Sequence, residues 1–199
     1  MADDVDPLYA EAIERFAGQF EQAQSSEPGE KTAVTLATAG ADGRPSARTV
    51  LLKHFDQRGF VIYTNLTSRK GNQIRENPQA ALLFFWQSLA RQVRVEGAVE
   101  QVDDADADAY WATRPRESQL GAWASEQSAT LASREAYEQR LEEYRRRFEG
   151  ESIPRPPFWS GLRLVPDRIE FWHERRYRQH ERELVWFDGS SWQWTLLNP

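Results

Sequence analysis

The sequence predicts a mainly β protein with α-helices (α+β), its strands antiparallel and curled into a barrel. Three observations carry this. Seven or eight short β-rich segments recur along the chain, with turn signals such as Asp42-Gly43 and Asp188-Gly189 between them. The connections among the first three strands are short, as in an antiparallel meander. So many short antiparallel strands suggest a closed barrel, since closure removes exposed edges.

The elements follow in order. Asp6-Pro7 opens a helix, with Asp as N-cap and Pro at the first position, and Leu8, Ala12, Ile13, Phe16 and Phe20 fall on one face. Ser25 to Glu30 breaks it, so residues 1–30 form a helix and linker. Thr32–Thr38, Ser46–Lys53 and Phe60–Thr64 read as three strands of a meander. Ser68 caps a short helix through Arg75, which Asn77-Pro78 ends. Ala80–Phe85 reads as a strand buried on both faces, Gln92–Gln101 as one with a wet face. Asp104–Trp111, Glu117–Trp123 and Ser133–Phe148 are helical, the last with Ser133 as N-cap and a Tyr137, Leu141, Tyr144, Phe148 stripe. Residues 158–199 return to strands: Phe158–Val165, Arg168–Trp172, Arg182–Phe187 and Ser191–Leu197. There is no internal repeat, and the 199 residues suit one domain.

Composition narrows the function. The formal net charge of −6 argues against a nucleic-acid partner, though a local arginine cluster still holds a small anion. The absence of cysteine excludes disulfides, thiolate metal sites and cysteine nucleophiles. His54, His173 and His180 lack the spacing of a zinc helix, so no metal is expected. The acidic N-terminus has no secretory pattern and no stretch nears the roughly 20 apolar residues of a membrane span, so a cytoplasmic protein is expected. No dinucleotide glycine fingerprint, phosphate loop or Gly-x-Ser-x-Gly elbow is present. Eight tryptophans mark a large aromatic core or an interface between subunits.

Four motifs carry charge in patterns that an anion would explain. Arg48 and Lys53 bracket an apolar strand centre, and the alternative is two solvated strand ends. Arg69 and Lys70 sit at a helix start, where cations oppose the dipole unless an anion binds, although long side chains also reach solvent. Tyr110, Arg114 and Ser118 gather phosphate donors within nine residues, equally readable as a turn with surface arginines. Arg178, His180 and Arg182 alternate, so on a strand they share one face, beside an anion or as a charged edge. Gln127-Ser128 reads locally as a polar loop.

Taken in order, the stretches Arg48–Lys70, Leu82–Trp86, Arg91–Gly97, Arg114–Ser128, Pro156–Leu164, Ile169–Trp172 and Arg178–Arg182 resemble the pyridoxine/pyridoxamine 5′-phosphate oxidase family over almost the whole chain. The resemblance implies a split β-barrel homodimer with FMN at the subunit interface. It also implies oxidation of pyridoxine or pyridoxamine 5′-phosphate to pyridoxal 5′-phosphate by O2. By position, Arg48, Thr49, Val50, Leu51, Leu52, Lys53, Tyr63, Thr64, Arg69, Lys70, Gln92, Gln127, Ser128, Trp172 and Arg182 match the flavin contacts. Lys53, Tyr110, Arg114 and Ser118 match the substrate-phosphate cradle, and Arg178, Gln179 and His180 the groups beside the pyridine ring, with Arg178 and His180 in the catalytic role. Two departures are Glu181, where the family usually has Asp, and Leu196, where an arginine is frequent. Competing expectations are an FMN oxidase of another substrate, such as a phenazine precursor, and a non-enzymatic FMN- or pyridoxal-phosphate-binding protein.

Overall fold

The computed structural model describes residues 5–199. Helix α1 (Pro7–Ser26) begins as expected, the Asp6 carboxylate accepting from the Leu8 N–H at 2.9 Å. Ala12, Ile13, Phe16 and Phe20 are buried as expected, but at the first turn Leu8 is exposed and Tyr9 is buried instead, stacking on Trp192 at 4.5 Å. The C-terminal strands supply a ring for the first turn to rest on, and that is a tertiary cause no helical period reveals.

Nine antiparallel strands make one curled sheet: β1 (Ala33–Ala39), β2 (Pro45–Leu51), β3 (His54–Asp56), β4 (Gly59–Asn65), β5 (Gln79–Trp86), β6 (Arg91–Gln101), β7 (Trp159–His173), β8 (Glu181–Phe187) and β9 (Trp192–Leu197). The order is β2-β1-β5-β6-β7-β4-β3, with β8 paired to the other half of β7 and β9 to β8. The expected meander is therefore wrong in its pairing, since β2 forms no ladder with β4. The chain changes hairpins at Leu52 and Lys53, whose N–H groups donate to Thr32 O (2.8 Å) and Val61 O (2.9 Å). Closure also fails between β2 and β3, so the barrel is split. The free side of β2 keeps unpaired backbone donors and acceptors.

Strand β7 is the spine, and the two strands read over residues 158–172 are one. Pro166, which reads as a breaker, sits at a bulge where the β6 register shifts between Glu96 and Gly97. Gly97 is required there, because a Cβ would lie 2.0 Å from Val165 O. Strand β5 is not buried on both faces: Leu82, Phe84 and Trp86 are buried, but Phe85 is 58% exposed.

Three helices of the central segment form as read: α3 (Asp104–Thr113), α4 (Arg116–Ala124) and α5 (Arg134–Arg147), after the short α2 (Arg69–Glu76). Ser133 Oγ caps α5, accepting from Ala136 N at 3.1 Å. Helices α4 and α5 close a small second core around Trp111, Leu120, Phe148 and Trp159. No helix among the described residues is long and apolar enough to cross a membrane.

The main core lies where α1 plugs the curled sheet. Phe16 is fully buried, its ring 4.8 to 5.9 Å from Phe55, Phe60, Phe84, Phe20 and Trp86. Phe16→Ala is expected to cost about 3–5 kcal/mol, read as a fall in the midpoint of urea unfolding. A loss under about 1 kcal/mol would show that α1 does not anchor the sheet.

Candidate active site

The first cluster forms at the end of the buried face of the sheet. Arg48 lies mid-strand in β2, opposite Leu36, not at a strand end. Its guanidinium donates to Thr38 Oγ1 (2.6 Å), Leu36 O (3.2 Å) and Ser46 Oγ. Ser68 Oγ caps α2 through Gly71 N and so fixes Arg69 and Lys70 in the first turn. Lys70 is buried; its Nζ donates to Gln127 Oε1 (2.8 Å) and Ser68 Oγ (3.2 Å), and Thr64 donates to the same Gln127 oxygen at 3.3 Å. Ser128 follows in the left-handed region at φ 76°.

This cluster is short of negative charge. Among the described residues, no carboxylate lies within 4 Å of Arg48, Arg69 or Lys70. Burial, then the Arg48 charge, push the Lys70 ammonium down to about 8, and burial, then Arg69, lower Arg48. Three cations gathered in a half-dry corner at a helix N-terminus fit a phosphate ester. Sequence reading missed Thr38, Ser46 and Gln73. Gln73 Oε1 accepts from Thr38 (2.8 Å), Ser46 (2.7 Å) and Arg48 (3.4 Å), holding the guanidinium from below. A glutamine one turn into a helix carries no sequence signal for this.

Val50 of β2 and Leu52 just beyond it point inward with Arg48, Leu52 being 2% exposed. Thr49 and Leu51 point outward. The span Arg48–Lys53 thus presents alternate side chains, and a ligand on this free edge meets the others through backbone alone.

The second cluster adjoins the first across β4. Tyr63, next to Thr64, stacks on Tyr110 at 3.9 Å and on Trp159 at 5.4 Å. Arg114, the C-cap of α3, lies over Trp159 at 4.8 Å, and its Nη2 donates to the Ser118 carbonyl at 3.1 Å, leaving the Ser118 hydroxyl free of it. Burial lowers Arg114, and its Nε has no partner. Lys53 is exposed and makes no hydrogen bond to Tyr110, Arg114 or Ser118. The Glu30 carboxyl is held low chiefly by hydrogen bonds from Thr32, with Lys53 the smallest contribution.

The third cluster is elsewhere. Gln92, Trp172 and Arg182 are register partners across β6, β7 and β8, in one row on the outward face. His180 packs on Trp172 at 4.6 Å, and its Nδ1 accepts from Arg175 N at 3.2 Å. A neutral ring then carries its proton on Nε2. Arg178 and His180 are not on a strand, which corrects the expected shared face: β8 starts at Glu181. Arg178 closes a short 3-10 turn, and it and Tyr177 both sit at positive φ (61° and 57°). Gln179 is exposed beside them.

The clusters cannot meet within one chain. Arg48 and Thr64 share the face of Leu36 and Ile62, which line the core. Gln92, Trp172 and Arg182 alternate with core residues Val93, Phe171 and Val185, so they face the other way. The second and third clusters touch opposite ends of β7, at Trp159 and Trp172. Thirteen residue steps separate those ends, roughly 40 Å along the strand. The expected site residues of one chain therefore fall into two groups far apart.

A split antiparallel barrel whose first two clusters are cationic and, among the described residues, pair with no carboxylate has the chemistry to hold a phosphorylated small molecule. Comparison with known proteins narrows it. A family model described as pyridoxamine 5′-phosphate oxidase matches residues 20–148, and one described as the pyridoxine 5′-phosphate oxidase C-terminal dimerisation region matches residues 159–199. The chain is 54% identical to the pyridoxine/pyridoxamine 5′-phosphate oxidase of Myxococcus xanthus, over 94% of this chain and 91% of that one. It is 54% identical to that of Rubrobacter xylanophilus, over 99% and 89%. Among solved structures it is similar to PhzG of Burkholderia lata 383 in complex with tetrahydrophenazine-1-carboxylic acid: 31% identity, TM-score 0.86, covering 100% and 95%. The chain belongs to the pyridoxine/pyridoxamine 5′-phosphate oxidase family and is an oxidoreductase.

Proposed function

We propose that two copies of this chain assemble so that the first and second clusters of one face the third cluster of the other, and that FMN and a vitamin B6 phosphate bind between them. The separation of the two groups carries this reading: residues expected to share one substrate lie at opposite ends of β7, and only a partner brings them together. The matched dimerisation region, residues 159–199, contains every member of the third cluster except Gln92.

Arg48, Arg69, Lys70 and Gln127 would hold the FMN phosphate. Gln92, Trp172 and Arg182 of the partner subunit would meet the same cofactor. When bound, FMN would supply the two-electron oxidation at C4′ of pyridoxine or pyridoxamine 5′-phosphate, with O2 as the final acceptor giving hydrogen peroxide; from the amine, one water would then hydrolyse the imine to the aldehyde and ammonia.

The chain's own residues position the substrate. Arg114, with Lys53, Tyr110 and Ser118, binds its phosphate. Arg178 stabilises charge near C4′, and His180, with its Nε2 proton, donates to the C4′ oxygen or nitrogen. Such orientation alone is worth several kcal/mol. Purified protein mixed with pyridoxamine 5′-phosphate in air should consume O2 and form peroxide. Without O2 the visible flavin band should bleach. Failure of both would leave a binding protein.

Arg114→Ala is expected to raise KM about 10- to 100-fold with little change in kcat, as for one charged hydrogen bond. An unchanged KM would remove Arg114 from the cradle. The likeness to PhzG favours a second reading, oxidation of a phenazine precursor. The second cluster separates the two, because a carboxylated phenazine has no phosphate ester for Arg114 to grip.

A further inference from the structure

Arg182 is held from two sides. Its Nε donates to Glu170 Oε1 at 2.8 Å, and its Nη1 donates to the Asn198 carbonyl at 3.0 Å. Glu170, on the neighbouring strand β7, is 2% exposed, although it lies on the outward face of the sheet. Its other oxygen accepts from Arg94, its register partner on β6, and Arg94 also pairs with Glu96 at 2.7 Å. A buried carboxylate is costly unless fully paired, and here both oxygens are committed. Nη2 of Arg182 is the guanidinium nitrogen left without a hydrogen-bond partner among the described residues.

We infer that Glu170 is a positioning residue: with the Asn198 carbonyl it fixes the Arg182 guanidinium so that the Nη2 edge faces the cofactor, and Arg94, bonded to the other Glu170 oxygen, holds Glu170 in place beneath it. This rests on the proposed contact between Arg182 and FMN. The geometry separates the roles. Nε and Nη1 are spent inside the chain, and a guanidinium is planar, so fixing two of its nitrogens fixes the third. Arginine is long and loses much rotamer freedom on binding; restraining it beforehand removes that cost from ligand affinity. Glu170 would touch neither flavin nor substrate.

A double-mutant cycle on the full-length protein tests this, with FMN affinity read from quenching of flavin fluorescence and thermal unfolding followed in parallel. Glu170→Gln keeps the side chain's reach and removes its charge; it should weaken FMN about tenfold. Glu170→Asp keeps the charge and is one methylene short of Arg182; it should lose about as much. In the Arg182→Ala background either change should alter FMN affinity less than about twofold, because the group it positions is gone. An equal loss in both backgrounds would make Glu170 merely structural and overturn the inference. Full affinity in Glu170→Asp would overturn it too, by showing that charge suffices without contact. If Arg182→Ala binds FMN normally, the proposed cofactor contact falls and the inference with it. If Arg182→Ala loses FMN while Glu170→Gln does not, the inference alone falls.

Discussion

Replacing Arg48 and Lys70 together by methionine is expected to give a folded, nearly colourless protein whose FMN affinity is about 10²- to 10⁴-fold lower. Each side chain would give the phosphate one charged hydrogen bond, about 1.5–3 kcal/mol, and two together span that range. The fold should survive, because neither cation pairs with a carboxylate among the described residues and burial already penalises Lys70. The titration of Lys70 sharpens the expectation. With its ammonium lowered to about 8 before ligand binds, raising the pH past that value removes the proton that the phosphate needs. FMN affinity should therefore fall by up to about tenfold per pH unit above 8. Lys70→Met alone should flatten this slope. Fluorescence titrations across pH 7–10 read both effects. A Lys70→Met profile identical to that of the parent would place the cofactor phosphate elsewhere.

The second large effect is on turnover. Arg178→Ala is expected to keep the protein yellow and equally stable while lowering kcat/KM about 10²- to 10³-fold, the usual loss when one donor aimed at developing charge is removed. Arg178 is exposed and makes no hydrogen bond among the described residues, so its removal should leave stability within about 0.5 kcal/mol. Yet the chain holds Tyr177 and Arg178 in consecutive left-handed conformations, each costing of order 1–3 kcal/mol for a residue with a side chain. Strain of that kind in an exposed turn fits the proposed contact of Arg178 with substrate. Steady-state kinetics beside the visible spectrum decide it: loss of the flavin band in Arg178→Ala would make this arginine a cofactor ligand.

Much of the architecture was legible where its causes are local. Asp6-Pro7, Ser68 and Ser133 announce helix starts because a capping side chain acts within three residues, and Asp188-Gly189 announces its hairpin for the same reason. Strand partners were not legible. Nothing in SARTVLLKHFD says that the chain leaves one hairpin at Leu52 and enters another at Lys53. Pro166 reads as a stop, because its tolerance depends on Gly97 opposite, almost 70 positions earlier. The site divided along the same line. Residue types at Arg48, Lys70, Arg114 and Arg182 could be read in family order, but their faces could not, since the strand reading of Arg178 and His180 put them on a ladder they do not join. Supporting groups such as Gln73 and Glu170 look like ordinary surface residues until the fold buries them.

The proposed function rests on a site completed by two chains, and mixing inactive variants tests that most directly. Chains carrying Arg48→Met/Lys70→Met and chains carrying Arg178→Ala, co-expressed in equal amounts, should form mixed dimers in half of all pairings, each with one site free of every substitution. Oxidase activity should recover to about a quarter of the parent level. Activity no higher than the average of the two variants alone would mean that these residues act within one chain, contradicting the shared site.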